Sequence, residues 1–294
     1  MKVTVKVPAT SANLGPGFDV CGLALTLYNS FTFELLNQGL EIVGCDEAFN
    51  NTNNLIYTSF LKAAKQVDLK VNGLKIVVES EVPNTRGLGS SSTCIVAGIV
   101  GAYAFKNKQE DKKAILNLAT EIEGHPDNVA PAIHGGMTVS SMLDEVITMN
   151  IPIKNKYTFM TLIPNFELST SESRSVLPHT VERKDAIYNV SHISLLIASL
   201  IHGNDQYLKE AFKDQLHQPY RGHLIKNYDQ IMTILDQDKQ VLGSYLSGAG
   251  PTIMVVLKEN VDTSSLIETL NPYIEGWDVK ELKLDDQGYT YKIL

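Results

Sequence analysis

The stretch Pro83-Asn84-Thr85-Arg86-Gly87-Leu88-Gly89-Ser90-Ser91-Ser92-Thr93 constrains this chain more than any other. It follows an apolar run, Leu74 to Glu79, that reads as a strand, and it leads into Ser92 to Phe105, which reads as a helix. That helix is apolar almost all round, with small residues at Ala97, Gly98, Gly101 and Ala102, so it must be buried. Gly87 and Gly89 let the backbone turn tightly and come close to a ligand. Ser90, Ser91, Ser92 and Thr93 then offer hydroxyls and unpaired N–H groups where the helix begins. A helix start presents free donors and the positive end of the dipole, which suits a phosphate. No Gly-Lys-Ser/Thr follows the glycines, so this is not a Walker A loop. Taken alone, the segment also reads as an ordinary turn with a serine N-cap.

The rest of the chain supplies the setting. Lys2 to Val7 alternates and reads as a strand that Pro8 stops, followed by a polar Gly/Pro loop from Ala9 to Asp19. Leu25 to Leu36 reads as a strand pair or one long extended run. Helices are expected over Asn54 to Val67, Lys112 to Ile122, Ala186 to His202, Asp205 to Phe212 and Leu224 to Gln237. Thr252 to Leu257, Lys280 to Leu284 and Tyr289 to Leu294 read as strands. Strands with helices, then helices returning to strands, imply an α+β protein of two lobes. Ile151-Pro152 and Ile163-Pro164 interrupt the pattern, which gives lobes over residues 1–155 and 156–294.

The formal net charge of −8 argues against a nucleic-acid or anionic-membrane surface. An anionic substrate would then need backbone N–H groups, a few arginines and a metal ion. The three cysteines, Cys21, Cys45 and Cys94, lack metal-ligand spacing, and a reducing cytoplasm fits them. The first residues carry no apolar signal core, and the longest strongly apolar stretch, Leu195 to Ile201, is too short to span a bilayer.

Three segments carry a family resemblance: Pro8-Ala9-Thr10-Ser11-Ala12-Asn13-Leu14-Gly15-Pro16-Gly17-Phe18-Asp19, the Pro83–Thr93 loop, and Leu246-Ser247-Gly248-Ala249-Gly250-Pro251-Thr252. In this order and spacing they resemble the GHMP small-molecule kinases over essentially the whole chain. Within that superfamily, Glu123-Gly124-His125-Pro126-Asp127-Asn128, Ser169-Thr170-Ser171-Glu172-Ser173-Arg174 and His217-Gln218-Pro219-Tyr220-Arg221 look like the homoserine kinases. The resemblance implies an N-terminal lobe like the second domain of ribosomal protein S5, with a left-handed βαβ crossover, and a ferredoxin-like C-terminal lobe. It implies ATP-dependent phosphorylation of the L-homoserine hydroxyl on the way to threonine, with Mg²⁺ as cofactor, in a cytoplasmic homodimer. Another GHMP kinase acting on an alcohol such as mevalonate is the first alternative, and a catalytically silent binding protein the second.

By the same resemblance, the phosphates lie over Pro83 and the Arg86–Thr93 segment, and Ser91 and Glu123 coordinate Mg²⁺, with Glu121 the competing carboxylate. Glu123 alone would read as a solvated helix-end residue. Asn54 matches an adenine contact, though it reads equally as an N-cap for the helix starting at Leu55. Arg174 and Arg221 match carboxylate-binding arginines, Asp19 the residue that meets the ammonium, and Asn13, His125, Asn128 and Thr170 others lining that pocket. Arg221 alone would read as a surface arginine in an ion pair, and His125 as a loop histidine. For the chemistry, Asp127 aligns with a general base of mevalonate kinase. The rival scheme passes the proton directly to phosphate while Asn128 orients the hydroxyl. Arg86 either adds charge or points to solvent. Ser247 to Gly250 brings backbone close to the pocket or the phosphate loop, and Cys94 is expected to be an inert buried thiol.

Overall fold

The computed structural model describes residues 1–106 and 111–294. The first part of the chain gives β1 (Lys2–Ala12), β2 (Cys21–Leu36), β3 (Gly39–Val43), α1 (Leu55–Gln66), β4 (Gly73–Ser80), α2 (Ser90–Phe105), α3 (Lys112–Glu123), α4 (Val129–His134), β5 (Met137–Met142) and β6 (Val146–Ile151). The remainder gives β7 (Tyr157–Ile163), α5 (Thr170–Ser175), α6 (Arg183–His202), α7 (Leu208–Ala211), α8 (Gln218–Arg221), α9 (Tyr228–Gln237), β8 (Val241–Leu246), β9 (Ile253–Lys258), α10 (Ser264–Leu270), β10 (Asp278–Leu282) and β11 (Thr290–Ile293).

One sheet has the order β11-β1-β2-β4-β3, with β5 beside the start of β2 and β6 on β5. Its pairs are antiparallel except β3 and β4, which run parallel on either side of α1. The second sheet is antiparallel in the order β10-β7-β9-β8. The long run from residue 21 is a single 16-residue strand, because β1 pairs along one edge while β5 and β4 share the other.

Pro8 does not stop the first strand. β1 continues to Ala12, and its register against β2 shifts between Pro8 and Ala9. A bulge is where a strand tolerates a residue without an N–H. The extension matters because it carries Thr10, Ser11 and Ala12 into the centre of the molecule.

α2 lies against α1, α3 and β1, and 13 of its residues are buried, as its uniformly apolar sequence requires. A second apolar cluster draws Ala9, Leu14, Leu23 and Leu25 together with Phe159, Leu196, Tyr245 and Met254. Residues from both sheets therefore share one core. The polar faces left on either side of it form the walls of a cleft.

Candidate active site

That cleft has a volume of about 650 Å³ and receives the ends of β1, α2, α3 and α5 together with the turn between β8 and β9. The Pro83–Thr93 loop forms one wall. Gly87 and Gly89 have φ of +76° and +70°, which a side chain rarely tolerates. A Cβ on Gly87 would stand 2.4 Å from the Ser247 carbonyl oxygen, and one on Gly89 would stand 2.0 Å from Thr10 Oγ1.

α2 starts directly after Gly89 and no side chain caps it, so the serine N-cap reading does not hold. The hydroxyls divide their work. Ser90 Oγ donates to Asn84 Oδ1 (2.6 Å), and Thr93 Oγ1 donates to the Ser90 carbonyl (2.7 Å), so these two brace the loop. Ser91 Oγ and Ser92 Oγ donate to the two carboxylate oxygens of Glu123 at 3.0 and 3.2 Å. Burial raises the Glu123 carboxyl above the usual range, although both serine hydroxyls oppose the shift. Glu121, by contrast, faces away and pairs with Lys62 at 3.5 Å. Pro83, Leu88, Ser92 and Thr93 stand behind the cleft surface, with the Leu88 side chain fully buried.

The other wall holds the charged residues. The turn after β1 puts Asn13, Leu14 and Asp19 at φ of +70°, +46° and +57°, a conformation costly for residues other than glycine and concentrated at functional sites. Asn13 bridges the lobes, donating to the Gly248 carbonyl (2.9 Å) and accepting from the Asp19 N–H (3.0 Å). Arg174 forks onto Asp19, Nη1 to Oδ2 at 3.1 Å and Nη2 to Oδ1 at 2.8 Å. His125 Nδ1 lies 2.6 Å from Asp127 Oδ1. That hydrogen bond raises the His125 pKa against the opposing effect of burial. Asn128 Oδ1 accepts from Thr10 Oγ1 (2.8 Å). Thr170, exposed at the start of α5, lines the same wall.

Arg221 is not a surface arginine. It is 2% exposed, donates to the carbonyls of Gly248 (2.9 Å) and Ser173 (3.2 Å), and stacks over Phe18. Burial brings its pKa down to about 10, so it stays charged at neutral pH.

Comparison with known proteins settles the family. The family models "GHMP kinases N terminal domain" and "GHMP kinases C terminal" match residues 54–136 and 196–271. A homoserine kinase of Clostridium botulinum (strain ATCC 19397 / Type A) is 46% identical over 292 residues, covering 97% of each chain. The chain belongs to the homoserine kinases of the GHMP superfamily. A homoserine kinase of Clostridium beijerinckii is 44% identical over 293 residues, 98% of each chain. The crystal structure of homoserine kinase from Cytophaga hutchinsonii superposes with a TM-score of 0.90 at 24% identity, covering 99% of this chain and 97% of that one, and so shares the fold.

Two residues for which the sequence left alternatives open, Arg86 and Asn54, have defined partners in the structure. Arg86 lines the cleft from the phosphate-type loop and is mostly shielded from solvent, with Nη1 3.5 Å from Glu167 Oε1. Its Nε donates to the Pro164 carbonyl (3.0 Å) and its Nη2 to the Asn165 carbonyl (3.3 Å), tying the loop to the end of β7. Asn54 does cap α1, accepting from the N–H of Ile56 (2.9 Å) and Tyr57 (3.3 Å), and its Nδ2 donates to the Phe49 carbonyl (2.9 Å). It still lines the cleft.

Sequence reasoning missed several residues that shape this homoserine kinase site. Asn29 Oδ1 accepts from Ser80, Glu81 and Val82, and its Nδ2 donates to Thr93, which fixes the chain as it leaves β4. Ser247 Oγ donates to the Gly87 carbonyl (2.6 Å) and lies 2.7 Å from Ser11 Oγ, which sits 3.2 Å from Tyr245 Oη. This buried chain ties the third motif to the phosphate-type loop. The sequence places Ser247 to Gly250 near the pocket or this loop, and the Ser247 hydroxyl on Gly87 agrees with that; Ser11, inside β1, gives no local signal of its part. Cys94 lines the cleft, and burial pushes its thiol up to about 12, so it is no thiolate at neutral pH.

Proposed function

We propose that the two walls divide the substrates of a homoserine kinase between them: ATP phosphates over Gly87 to Ser91, and L-homoserine between Asp19 and Arg174. The observation that carries this is the convergence, in one cleft, of an uncapped helix start and a paired carboxylate and guanidinium. Free N–H donors at the α2 start suit the triphosphate. A zwitterionic alcohol needs one anionic and one cationic partner, and Asp19 and Arg174 are that couple. Mevalonate has no ammonium, so it would leave Asp19 without purpose. The apolar end near Phe31, Leu55 and Val78 suits a planar base.

Ser91 and Glu123 fit a hard divalent cation, because their oxygens already converge and the carboxylate is half-buried beside the helix start. Mg²⁺ bound there would offset phosphate charge. Phosphoryl transfer depends on position and charge more than on a strong base. Asp127 is engaged by His125, whereas Asn128 presents an amide whose carbonyl Thr10 holds. In our reading Asn128 orients the homoserine hydroxyl, the proton passes directly to the transferred phosphoryl group, and Asp127 holds the His125 ring in place and favours its protonated form.

Among the described residues no helix is long and apolar enough to cross a membrane. The three cysteines are free, which supports a reducing cytoplasm. A homodimer completes the proposal and is checked by sedimentation equilibrium. The reaction itself is tested by ADP release with Mg-ATP and L-homoserine, mevalonate, galactose, L-serine and shikimate. Turnover of L-homoserine alone is expected. Turnover of mevalonate in its place would overturn the zwitterion assignment while keeping the phosphate wall.

A further inference from the structure

Asp19 and Arg174 already satisfy one another before any substrate arrives. Their two hydrogen bonds, at 2.8 and 3.1 Å, form a forked pair, and the side chains are 35% and 38% exposed in the cleft. Among the described residues lining the cleft, the other charges near this wall have partners elsewhere. Arg221 holds carbonyls, Asp127 holds His125, and Glu123 holds Ser91 and Ser92. Arg86 is tied to the end of β7. A ligand must therefore open the Asp19–Arg174 pair in order to use either member.

We propose that this pair is a lock that a zwitterion opens without net loss. The ammonium of homoserine takes over Asp19 while its carboxylate takes over Arg174, so two charged contacts replace two. An alcohol carrying only a carboxylate gains Arg174 but leaves Asp19 unpaired in a partly dry cleft, and one carrying only an ammonium does the reverse. Stranding a polar partner costs more than a missing contact. Asp19 thus has a second role: besides meeting the ammonium, it masks Arg174 from monoanionic alcohols. Arg174 keeps a second support when Asp19 turns to the ammonium, since its guanidinium lies 5.7 Å from the centre of the Phe18 ring.

This inference rests on the placement of homoserine proposed above, and its test separates the two. Calorimetry measures the Kd of L-homoserine, 4-hydroxybutanoate (carboxylate only) and 3-aminopropan-1-ol (ammonium only) for the wild type, Asp19→Asn and Arg174→Gln. Both variants should bind L-homoserine at least about tenfold more weakly, the scale of a lost charge-assisted contact. Asp19→Asn should nevertheless bind 4-hydroxybutanoate about fivefold more tightly than the wild type does, the scale of one half-exposed ion pair. Arg174→Gln should do the same for 3-aminopropan-1-ol. Unchanged or weaker binding of the matching analogue by its variant overturns the lock. Unchanged binding of L-homoserine by both variants overturns the substrate placement instead. Calorimetric binding of ATP alone, which neither residue touches, reports that each variant is folded, and the Arg174→Gln arm decides alone if Asp19→Asn does not fold.

Discussion

Glu123 and Asp127 lie four residues apart and ask for opposite outcomes on neutralisation. Glu123 is held by the hydroxyls of Ser91 and Ser92, whose N–H groups start α2. If it completes a cation site, Glu123→Gln should lower kcat/KM for Mg-ATP by roughly 10²-fold, the scale of one lost electrostatic contact at a reacting group. The Mg²⁺ concentration for half-maximal rate should rise with it. Glu121→Gln should change neither, since Glu121 faces Lys62. Titrating initial rates against Mg²⁺ for both variants distinguishes them. Asp127 is 2% exposed and bonded to His125. As a charge partner it should tolerate Asp127→Asn with kcat reduced no more than about tenfold, whereas a general base contributes about 10²–10⁴. A single-turnover measurement with saturating homoserine reads that difference, and a loss above 10³ would hand the proton to Asp127. Arg221 shows where residue-level reading of sequence runs out. Its motif context pointed to the pocket, but the two carbonyls that it holds, Ser173 and Gly248, lie 48 and 27 residues away along the chain.

At the scale of elements, the Pro83–Thr93 loop is rigid because tertiary contacts meet it from both sides. Gly89 sits against Thr10 of β1, and Gly87 sits against the Ser247–Gly250 turn between β8 and β9. Gly89→Ala would force a left-handed alanine, costing about 1–2 kcal/mol of stability by itself, and a clash with Thr10 Oγ1 that adds to it. The displaced helix start should cost more than tenfold in kcat/KM for ATP, because positional errors near 1 Å can cost 10²-fold. Thermal melts and ATP-dependent initial rates check the two effects separately. Much of this element was legible beforehand. The glycines, the hydroxyls and the apolar α2 mark a strand, turn and helix by composition alone, and α1, α3, α6 and β9 fell where periodicity put them, to within a few residues. β5 and β6 were not read from the sequence, although Ile147 to Ile151 alternates apolar and polar residues; Ile147 and Met149 turn to solvent rather than to a core, so the segment is a strand by pairing with β5 and not by burial. The passage of β1 beyond Pro8 was hidden too, since a bulge depends on the partner strand and leaves no mark in the chain that carries it.

The molecule as a whole is joined at His217. It is fully buried on α8's N-terminal side, stacked on Phe18 at 5.2 Å, with Nε2 2.8 Å from the Gly15 carbonyl and Nδ1 3.4 Å from Arg221 Nη1. A ring that donates through Nε2 and accepts at Nδ1 is neutral. Burial lowers its pKa below the ordinary 6.5; Asp214 pulls the other way, 3.5 Å off, and the Arg221 charge reinforces burial. The unfolded chain therefore takes up this proton first as pH falls. Stability contributed by neutral His217 is fully present above pH 6.5 and declines below it, by at most about 1.4 kcal/mol per pH unit until the folded pKa is reached. His134, also lowered by burial, adds the same sign. His125 runs the other way, because Asp127 raises it, so the wild-type profile alone mixes opposing slopes. The difference between wild type and His217→Gln isolates the junction. Urea unfolding from pH 7.5 to 5.5 should show the variant less stable than wild type at the upper end, with the gap narrowing as pH falls. A gap independent of pH would mean that His217 joins the lobes by packing alone.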